Sequence, residues 1–381
     1  MKIAFISTIL TYPWGGADTL WTHAAESAAG RGDALLIAVS PLAGENPRVQ
    51  ALRCGGTRWL PRPVPASPPN WGQRVSRRLG AQLRRPDPLV RALGEFRPDL
   101  AVISCGGTGD LVLEPALVAW LQAERIPFRV ICNWQQENPT LPETDRAALR
   151  SIFAAAEALF FVSSRNLAVT RRWLLDPLGH ASVIQNPLRD SPQGRPLPWP
   201  AGHTFSLATV GRLAPEKGNA LLLHAVAASW DPHENWRLDL FGDGPEGAAL
   251  AATIATLGLG ERVTLRGRAD LDQIWADHQL LISAAIDEGV PMTIPEALLR
   301  GRPVLATCVG GAEDWITAGR DGFLCPAPTL PLLTAALREA WAAREQWRAL
   351  GAAGAASARR RYQPADYLRL IAANASEPDQ P

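Results

Sequence analysis

The stretch that decides the fold is Leu280-Leu281-Ile282-Ser283-Ala284, followed shortly by Glu288-Gly289-Val290-Pro291-Met292-Thr293-Ile294-Pro295-Glu296. The apolar run predicts a buried strand, and Ala297-Leu298-Leu299-Arg300-Gly301 predicts a helix after the loop. A carboxylate at the carboxyl end of a parallel strand, ahead of a helix, lies where open α/β sheets bind their ligands. The stretch therefore favours a parallel α/β sheet with a ligand site at Glu288.

A second fragment, Val210-Gly211-Arg212-Leu213-Ala214-Pro215-Glu216-Lys217-Gly218, follows another predicted strand. Arg212 lies in the strand-to-helix loop, and Lys217 stands near the start of the next helix. Loop amides such as that of Gly211, a helix amino terminus and two cations together suit a diphosphate. On these residues alone, two exposed cations on a turn are an equally good interpretation.

Of the two glutamates in the first stretch, Glu288 and Glu296, only Glu296 also has a structural interpretation. Thr293-Ile294-Pro295-Glu296 fits a capping box with Thr293 as N-cap, so Glu296 has a structural interpretation beside a functional one. Glu288 has no such structural role and is predicted to face a ligand. The loop amides of Gly289, Val290, Met292 and Thr293 are predicted to donate to that ligand, whereas Pro291 has no N–H.

Length and composition bound the classes of protein. The chain has 381 residues, which suits two domains, and its net charge of +1 gives no support for nucleic-acid binding. Five cysteines show no paired metal spacing, and six histidines are scattered, so no metal or cofactor is expected. The odd cysteine count and the lack of a convincing signal peptide or an apolar run of about 18 residues favour a cytoplasmic protein.

Short apolar runs alternate with helix-like segments along both halves, which argues for parallel sheets with helices on both faces. The predicted strands are Lys2–Ser7, Ala34–Val39, Leu100–Ser104, Phe128–Cys132, Leu159–Val162, Ala181–Ile184, Phe205–Val210, Trp236–Phe241, Arg262–Leu265, Leu280–Ser283 and Pro303–Ala306. The first predicted helix runs from about Ala17 to Ala29. A last helical segment is predicted from about Pro364 to Ala373.

A proline-rich stretch separates the two halves. We predict an N-terminal acceptor-side domain over 1–188, a linker over 189–203 and a C-terminal nucleotide-sugar-binding domain over 204–361. Residues 362–381 are predicted to form a C-terminal helix and tail that pack back on the first domain.

Four separate motifs of the second half closely resemble glycosyltransferase family 4, the large retaining family with the GT-B fold. They are the Val210–Gly218 fragment, Phe241-Gly242-Asp243-Gly244-Pro245, the stretch from Glu288 to Glu296, and Pro303-Val304-Leu305-Ala306-Thr307 with Gly310-Gly311-Ala312-Glu313. The first half matches by pattern only, through a Gly15-Gly16 loop and Asn186-Pro187. The resemblance implies two doubly wound Rossmann-like domains facing each other across a cleft.

The resemblance also implies roles for the donor side. Arg212 and Lys217, with Gly211 and the Gly15-Gly16 loop, would bind the donor diphosphate in place of a metal ion. Glu288 would contact the transferred sugar and stabilise charge at its anomeric carbon. The same resemblance gives two further roles, ribose binding by Glu296 and a place near the base for Gly267-Arg268.

One position departs from the family pattern. Many members carry a histidine after the strand that here reads Arg129-Val130-Ile131-Cys132, whereas this chain has Asn133-Trp134. Asn133 can bind a sugar hydroxyl but cannot titrate as a base, and Trp134 can stack on a sugar ring. A loop polar cluster with a half-buried Trp134 is an equally weighted interpretation. Trp14, near the glycine loop, is a further candidate sugar platform on the acceptor side.

The segment Trp71–Leu93 is rich in arginine. We favour a solvated helix face over contact with an anionic membrane surface or a lipid-diphosphate acceptor. The second interpretation would place the protein peripherally at the inner face of the membrane.

Together these features predict a retaining, metal-independent glycosyltransferase that uses a front-face mechanism. It would move a sugar from a nucleotide-diphosphate sugar to a hydroxyl of a glycan, a lipid-linked glycan or a small molecule. The alternatives are a glycoside phosphorylase, a nucleotide-sugar epimerase, or a non-catalytic module that binds sugar nucleotides.

Overall fold

The structure, a computed structural model, describes residues 1–11, 14–63, 87–137, 142–188, 196–230 and 234–373. The chain forms two units: unit 1 spans residues 1–187 and takes in the chain again from Pro364, and unit 2 is Leu188–Gln363. Each unit has its own parallel sheet.

The sheet of unit 1 has the strand order β3-β2-β1-β4-β5-β6-β7, with parallel pairing throughout. Its strands are β1 Lys2–Ser7, β2 Ala34–Val39, β3 Arg58–Pro61, β4 Leu100–Gly107, β5 Phe128–Trp134, β6 Ala158–Phe161 and β7 Ala181–Val183. The strand order reverses between β1 and β4, which makes that gap the topological switch point of unit 1.

Helices connect these strands. Those of unit 1 are α1 Gly16–Gly30, α2 Pro41–Gly44, α3 Pro47–Cys54, α4 Pro88–Phe96, α5 Pro115–Ala123, α6 Glu143–Ala155 and α7 Ser164–Leu174, with a 3₁₀ turn at Asp110–Leu113. Ser163 caps α7 by accepting a hydrogen bond from the amide of Asn166 at 3.2 Å.

The sheet of unit 2 has the order β10-β9-β8-β11-β12-β13, also parallel. Its strands are β8 Phe205–Val210, β9 Trp236–Phe241, β10 Val263–Gly267, β11 Leu280–Ser283, β12 Val304–Thr307 and β13 Gly322–Cys325. Its helices are α8 Asn219–Ser229, α9 Gly247–Thr256, α10 Leu271–Asp277, α11 Thr293–Leu299, α12 Ala312–Trp315, α13 Leu330–Ala342 and α14 Trp347–Arg361. The switch point of unit 2 lies between β8 and β11.

Both faces of the unit 2 sheet are covered. Leu207 and Ile282 belong to one buried apolar cluster, whereas their chain neighbours Ala208 and Leu281 belong to another. Because successive side chains of a strand point to opposite faces, helices pack on both sides. The expected α/β class with two doubly wound sheets is confirmed.

Two strands were missed by sequence reasoning, and both lie at sheet edges. The strand β3 carries Arg58 and Pro61, which break the apolar pattern and are tolerated because an edge strand has one unpaired side. The strand β13 begins at Gly322, where a Cβ would lie 2.3 Å from the Val304 carbonyl oxygen. Close approach of the neighbouring backbone therefore requires a weak strand former there.

The segment from Pro364 is held on unit 1. Instead of the expected helix it forms a short 3₁₀ turn, Asp366–Leu370. Asp366 accepts a hydrogen bond from the Gln185 amide at 2.7 Å, and Arg129 donates to the carbonyl oxygens of Arg369 and Ala372 at 3.0 and 2.8 Å. Within the described ranges, no helix has both the length and the apolar character needed to cross a bilayer.

Candidate active site

A depression lies at the carboxyl edge of the unit 2 sheet, at its switch point. Its lining comes from the ends of β8 and β11 and from the segments that follow them: Thr209, Val210, Gly211, Arg212, Lys217, Asn219, Ile282, Ser283, Ala284, Glu288 and Thr293. The depression thus brings together five of the residues singled out from the sequence.

The cation and the carboxylate of this depression contact each other directly. Lys217 Nζ donates a hydrogen bond to Glu288 Oε1, and the two side chains are 27% and 13% exposed. Arg212 forms an ion pair with Glu216 within the same loop. Each cation therefore has an internal carboxylate as counter-ion when no ligand is bound.

The loops that follow β8 and β11 are held together by their backbones. The Glu216 carbonyl oxygen accepts hydrogen bonds from the amides of Ile286 and Asp287 at 2.8 and 3.3 Å. Gly218 has φ +65°, and a Cβ there would lie only 2.0 Å from the Ala284 carbonyl oxygen. Glycine is required at this position because a side chain would push the two loops apart.

A second glycine, Gly310, lies against the backbone of Glu288. Gly310 has φ +52°, and a Cβ there would lie 2.3 Å from the Glu288 carbonyl oxygen. Thr307 also donates through its hydroxyl to the Ala285 carbonyl oxygen at 2.6 Å. The loop that carries Glu288 is therefore held by the last residue of β12 and by the segment that follows it.

The helix α8 begins at this depression. Gly218 is its N-cap, so no side chain caps the first amides, and Asn219 accepts a hydrogen bond from the Thr209 hydroxyl at 3.2 Å. The uncapped amino terminus of α8, beside Lys217 and Arg212, offers backbone amides that suit an anionic ligand.

The other predicted donor-side residues of unit 2 lie around the depression. Gly289, Val290 and Met292 are partly exposed, outside its lining. Glu296 is fully buried on α11, and its ribose role stays a prediction. The helix α11 begins at Thr293 with Met292 as an N-cap that makes no side-chain bond, so the capping-box interpretation is wrong.

Gly267 ends β10, and its carbonyl oxygen accepts a hydrogen bond from the Gly242 amide at 2.8 Å. Arg268 forms an exposed ion pair with Asp243 at 2.8 Å. Both therefore lie at the carboxyl edge, and their place near a base stays a prediction.

In unit 1 the predicted glycine loop leads into α1. Gly15 is the N-cap and donates its amide to the buried Asp18 carboxylate at 3.0 Å. Trp21 donates to the same carboxylate at 3.2 Å, and its ring packs against the edge of Trp14. Burial raises the pKa of Asp18, which these bonds oppose. Gly16 accepts through its carbonyl oxygen from Asn186 at 3.2 Å.

Asn133 and Trp134 are the last residues of β5, so the expected loop position is wrong. Pairing of β5 with β4 continues as far as Gly107 and Trp134, past the end of the apolar run. Asn133 is 6% exposed and donates to Ser104 Oγ at 3.0 Å and to the Cys105 carbonyl oxygen at 2.9 Å. Trp134 is half-buried.

Sequence reasoning missed a carboxylate at the switch point of unit 1. Asp110 follows β4 and accepts hydrogen bonds from the Thr8 hydroxyl at 2.6 Å and the Gly107 amide at 3.0 Å. The preceding Gly106-Gly107-Thr108-Gly109 is typical of a tight turn, which draws attention away from Asp110. The signal that was available is an acid in the loop that follows a strand, the same signal that marks Glu288.

Most of Trp71–Leu93 lies outside the described residues, as does much of the predicted linker. Among the residues that are described, no three or more His, Cys, Asp or Glu side chains are grouped to hold a metal ion.

Residues 204–342 match the family model Glycosyl transferases group 1. An exopolysaccharide phosphotransferase of Streptomyces coelicolor is 32% identical over 236 residues, covering 60% of this chain and 24% of that protein. A GDP-mannose-dependent alpha-mannosyltransferase of Mycobacterium tuberculosis is 30% identical over 263 residues, covering 62% of this chain and 63% of that protein. The chain spans only about a quarter of the length of the first curated relatives it matches.

The fold is similar to that of a solved structure, HepE of Anabaena in complex with UDP. The TM-score is 0.71 at 20% sequence identity, and the match covers 97% of this chain and 98% of the other. At this level of identity the similarity concerns the fold.

Proposed function

We propose that this chain is a glycosyltransferase with a nucleotide-diphosphate sugar as donor. The match of residues 204–342 to the family model Glycosyl transferases group 1 supports the proposal. The observation that carries the proposal is the contact between Lys217 and Glu288 at the switch point of unit 2. A diphosphate binder and a carboxylate for the sugar are both needed at such a site, and here they are adjacent.

Donor binding would separate this pair. The diphosphate offers Lys217 a doubly charged partner and also reaches the uncapped amino terminus of α8. Glu288, once released, would face the transferred sugar. Its charge would then stabilise the positive charge that develops at the anomeric carbon as the bond to the diphosphate oxygen breaks.

The finer features of the reaction follow the resemblance. Transfer would retain configuration by a front-face route, in which the acceptor oxygen bonds to the anomeric carbon and its proton passes to the leaving diphosphate. Arg212 and Lys217 would neutralise that diphosphate without a metal ion. A lone-pair-rich carboxylate such as Glu296 would hold the ribose, with Gly267 and Arg268 near the base.

The acceptor side would lie in unit 1, with Asn133, Trp134 and Trp14 as candidates for sugar contact and Gly15-Gly16 near the donor. A glycan, a lipid-linked glycan or a small molecule would supply the hydroxyl. Peripheral attachment to the inner face of a membrane through Trp71–Leu93, in a cytoplasmic protein, remains part of this proposal.

Calorimetry tests donor recognition. UDP, GDP, ADP and dTDP are titrated into the wild type and Lys217→Ala, with chelator and without metal, and Lys2→Ala serves as the matched control because Lys2 lies in unit 1. Selective binding that is lost only in Lys217→Ala supports the proposal. No binding to any of the four, or binding that appears only with a divalent ion, contradicts donor recognition as proposed.

The rival functions give different products. A phosphorylase would cleave a disaccharide only with phosphate, and an epimerase would convert the sugar nucleotide with no acceptor. A non-catalytic module would bind the nucleotide without releasing it from its sugar. Product analysis of wild type and Glu288→Gln with the preferred nucleotide sugar separates these outcomes.

A further inference from the structure

A nearly buried side-chain amide, that of Asn219, lines the depression of unit 2. We infer that Asn219 is a further diphosphate-binding residue: its Nδ2 donates a hydrogen bond to an oxygen of the bound diphosphate, and the Thr209 hydroxyl fixes the orientation of the amide. The identity of the anion rests on the proposed function. The inference assigns an uncharged side-chain donor to a site whose cations are Arg212 and Lys217.

Asn219 is placed at the depression by its helix. It is the first residue of α8, directly after the N-cap Gly218, and it lines the depression together with Lys217 and Glu288. The side chain is only 3% exposed. Because Asn219 is nearly buried and yet lines the depression, the small part of it that ligands can reach faces the depression.

The contact with Thr209 decides which end of the amide is available. Thr209, near the end of β8, donates through its hydroxyl to Asn219 Oδ1 at 3.2 Å. Nδ2 has no hydrogen-bond partner among the residues that the structure describes, and it does not belong to the unpartnered polar atoms there that are sealed from solvent. Since an amide nitrogen can only donate, this end suits an acceptor such as a phosphate oxygen.

The charges of the site leave a role for an uncharged donor. Lys217 is paired with Glu288, and Arg212 is paired with Glu216, so these two ion pairs add no net charge. A diphosphate is bound more tightly by further donors that do not carry a counter-ion with them. The Asn219 amide is such a donor, and a hydrogen bond to a charged oxygen is stronger than one between neutral groups.

A second hydroxyl–amide pair in unit 2 shows what a purely structural contact of this kind looks like. Thr204 donates to Asn235 Oδ1 at 3.0 Å, and Asn235 Nδ2 donates to the His203 carbonyl oxygen at 3.2 Å. Both ends of the Asn235 amide are therefore used within the protein. At Asn219 only the accepting end is used, by Thr209. The Thr204–Asn235 pair is exposed and supplies matched control variants.

The test is calorimetric binding of UDP, GDP, ADP, dTDP and inorganic pyrophosphate to the full chain, without metal. The variants are Asn219→Asp, Asn219→Ala and Thr209→Val, and the controls are Asn235→Asp and Thr204→Val. Asn219→Asp keeps the size of the side chain and an oxygen that accepts from Thr209, but it replaces the donating Nδ2 by an oxygen. A carboxylate in the first turn also favours the helix, so a loss of anion binding is not a loss of helix stability.

We expect the dissociation constants of pyrophosphate and of the preferred nucleotide to rise at least about ten-fold in Asn219→Asp and in Asn219→Ala. Thr209→Val should raise them about three-fold alone and should have no further effect in the Asn219→Ala background, because the amide that it orients is then absent. The controls should stay within about two-fold of wild type. Equal binding by Asn219→Asp and wild type overturns the inference. Additive losses in the double variant overturn the positioning role of Thr209.

The outcomes separate this inference from the proposed function. The thermal midpoint of each variant shows whether it folds, and if Asn219→Asp unfolds, Asn219→Ala decides the test. Nucleotide binding that does not depend on Asn219 overturns the inference and leaves the proposed donor site intact. Pyrophosphate binding that depends on Asn219, without binding of any of the four nucleotides, supports the anion contact and refutes the proposed donor. No binding of pyrophosphate or nucleotide by the wild type refutes both.

Discussion

The two sheets place different chemistry at their switch points. In unit 2 the gap between β8 and β11 has Lys217 paired with Glu288, next to an uncapped helix amino terminus. In unit 1 the gap between β1 and β4 has Asp110 bound to a hydroxyl and an amide, with the buried Arg62 committed elsewhere. Both gaps are formed by the strand order, but they differ in charge: a paired cation and carboxylate in unit 2, and a carboxylate held by neutral donors in unit 1.

The difference shows that one architecture can carry two kinds of polar site. A cation that exchanges an internal carboxylate for a bound diphosphate keeps a counter-ion in both states. A carboxylate held by neutral donors can accept further neutral donors. Of the two gaps, that of unit 2 is therefore the one expected to bind a diphosphate.

The largest effect is expected at the carboxylate of unit 2. Glu288→Gln removes a charge that would act in the transition state, so turnover should fall at least ~100-fold, about 2.7 kcal/mol or more. Nucleotide diphosphate affinity should rise about five-fold, because Lys217 loses a counter-ion worth about 1 kcal/mol. Steady-state kinetics and calorimetry measure the two effects.

Glu339→Gln, on an exposed position of α13, is the control and should change neither quantity. Unchanged turnover in Glu288→Gln would remove this carboxylate from the mechanism. Weaker nucleotide binding in the same variant would contradict the proposed exchange of counter-ions.

Gly218→Ala tests whether the two loops of unit 2 must touch. The backbone at Gly218 is left-handed, and the added Cβ would meet the Ala284 carbonyl oxygen. We therefore expect the free energy of unfolding to fall by about 3 kcal/mol. We also expect nucleotide binding to be lost. Urea unfolding with calorimetry provides both readouts.

Gly258→Ala is a matched control for that variant. Gly258 has φ +66°, nearly the same as Gly218, but an added Cβ there meets nothing within 4 Å. It should lose only about 1–2 kcal/mol, the cost of the left-handed backbone alone. Equal losses at the two positions would mean that loop contact contributes nothing.

Lys217→Ala should weaken nucleotide diphosphate binding by about 1.5–3 kcal/mol, the scale of a charge-assisted hydrogen bond. Lys2→Ala, at the start of β1 in unit 1, should leave this affinity unchanged. Calorimetry on the two variants and the wild type compares them. An unchanged affinity in Lys217→Ala would remove this cation from the proposed diphosphate site.

Much of the fold was predictable from short apolar runs, since β8 and β11 are buried on both faces. The sequence predicted that Lys217 would bind an anion and that Glu288 would face a ligand. It did not predict that the two side chains contact each other, because their contact requires β8 and β11, which are distant in sequence, to pair in the sheet. The end of β5 was missed because pairing with β4, not hydrophobicity, carries the strand through Asn133. Asp110 was missed because the glycines before it are typical of a turn.

The smallest expected effect is on the pH dependence of stability. Asp110 and Asp33 should change stability with pH in opposite directions. Burial raises the pKa of Asp110 above its ordinary value of 3.8, with partial opposition from the Thr8 and Gly107 bonds, so the folded chain binds this proton more tightly than the unfolded chain does. Its contribution to stability is then fully present below about pH 3.8 and is lost as the pH rises through the raised value.

Asp33 has the opposite sign. The amino-terminal ammonium of Met1 lowers the pKa of Asp33, so its contribution is present above pH 3.8 and is lost as the pH falls through the lowered value. Urea midpoints of wild type, Asp110→Asn and Asp33→Asn between about pH 3 and pH 7 measure both. The advantage of wild type over Asp110→Asn should shrink as the pH rises, and its advantage over Asp33→Asn should grow. Parallel trends in the two variants would show that the hydrogen bonds from Thr8 and Gly107 outweigh burial and lower the pKa of Asp110. An advantage over Asp110→Asn that does not change with pH would show that the Asp110 carboxyl is solvated.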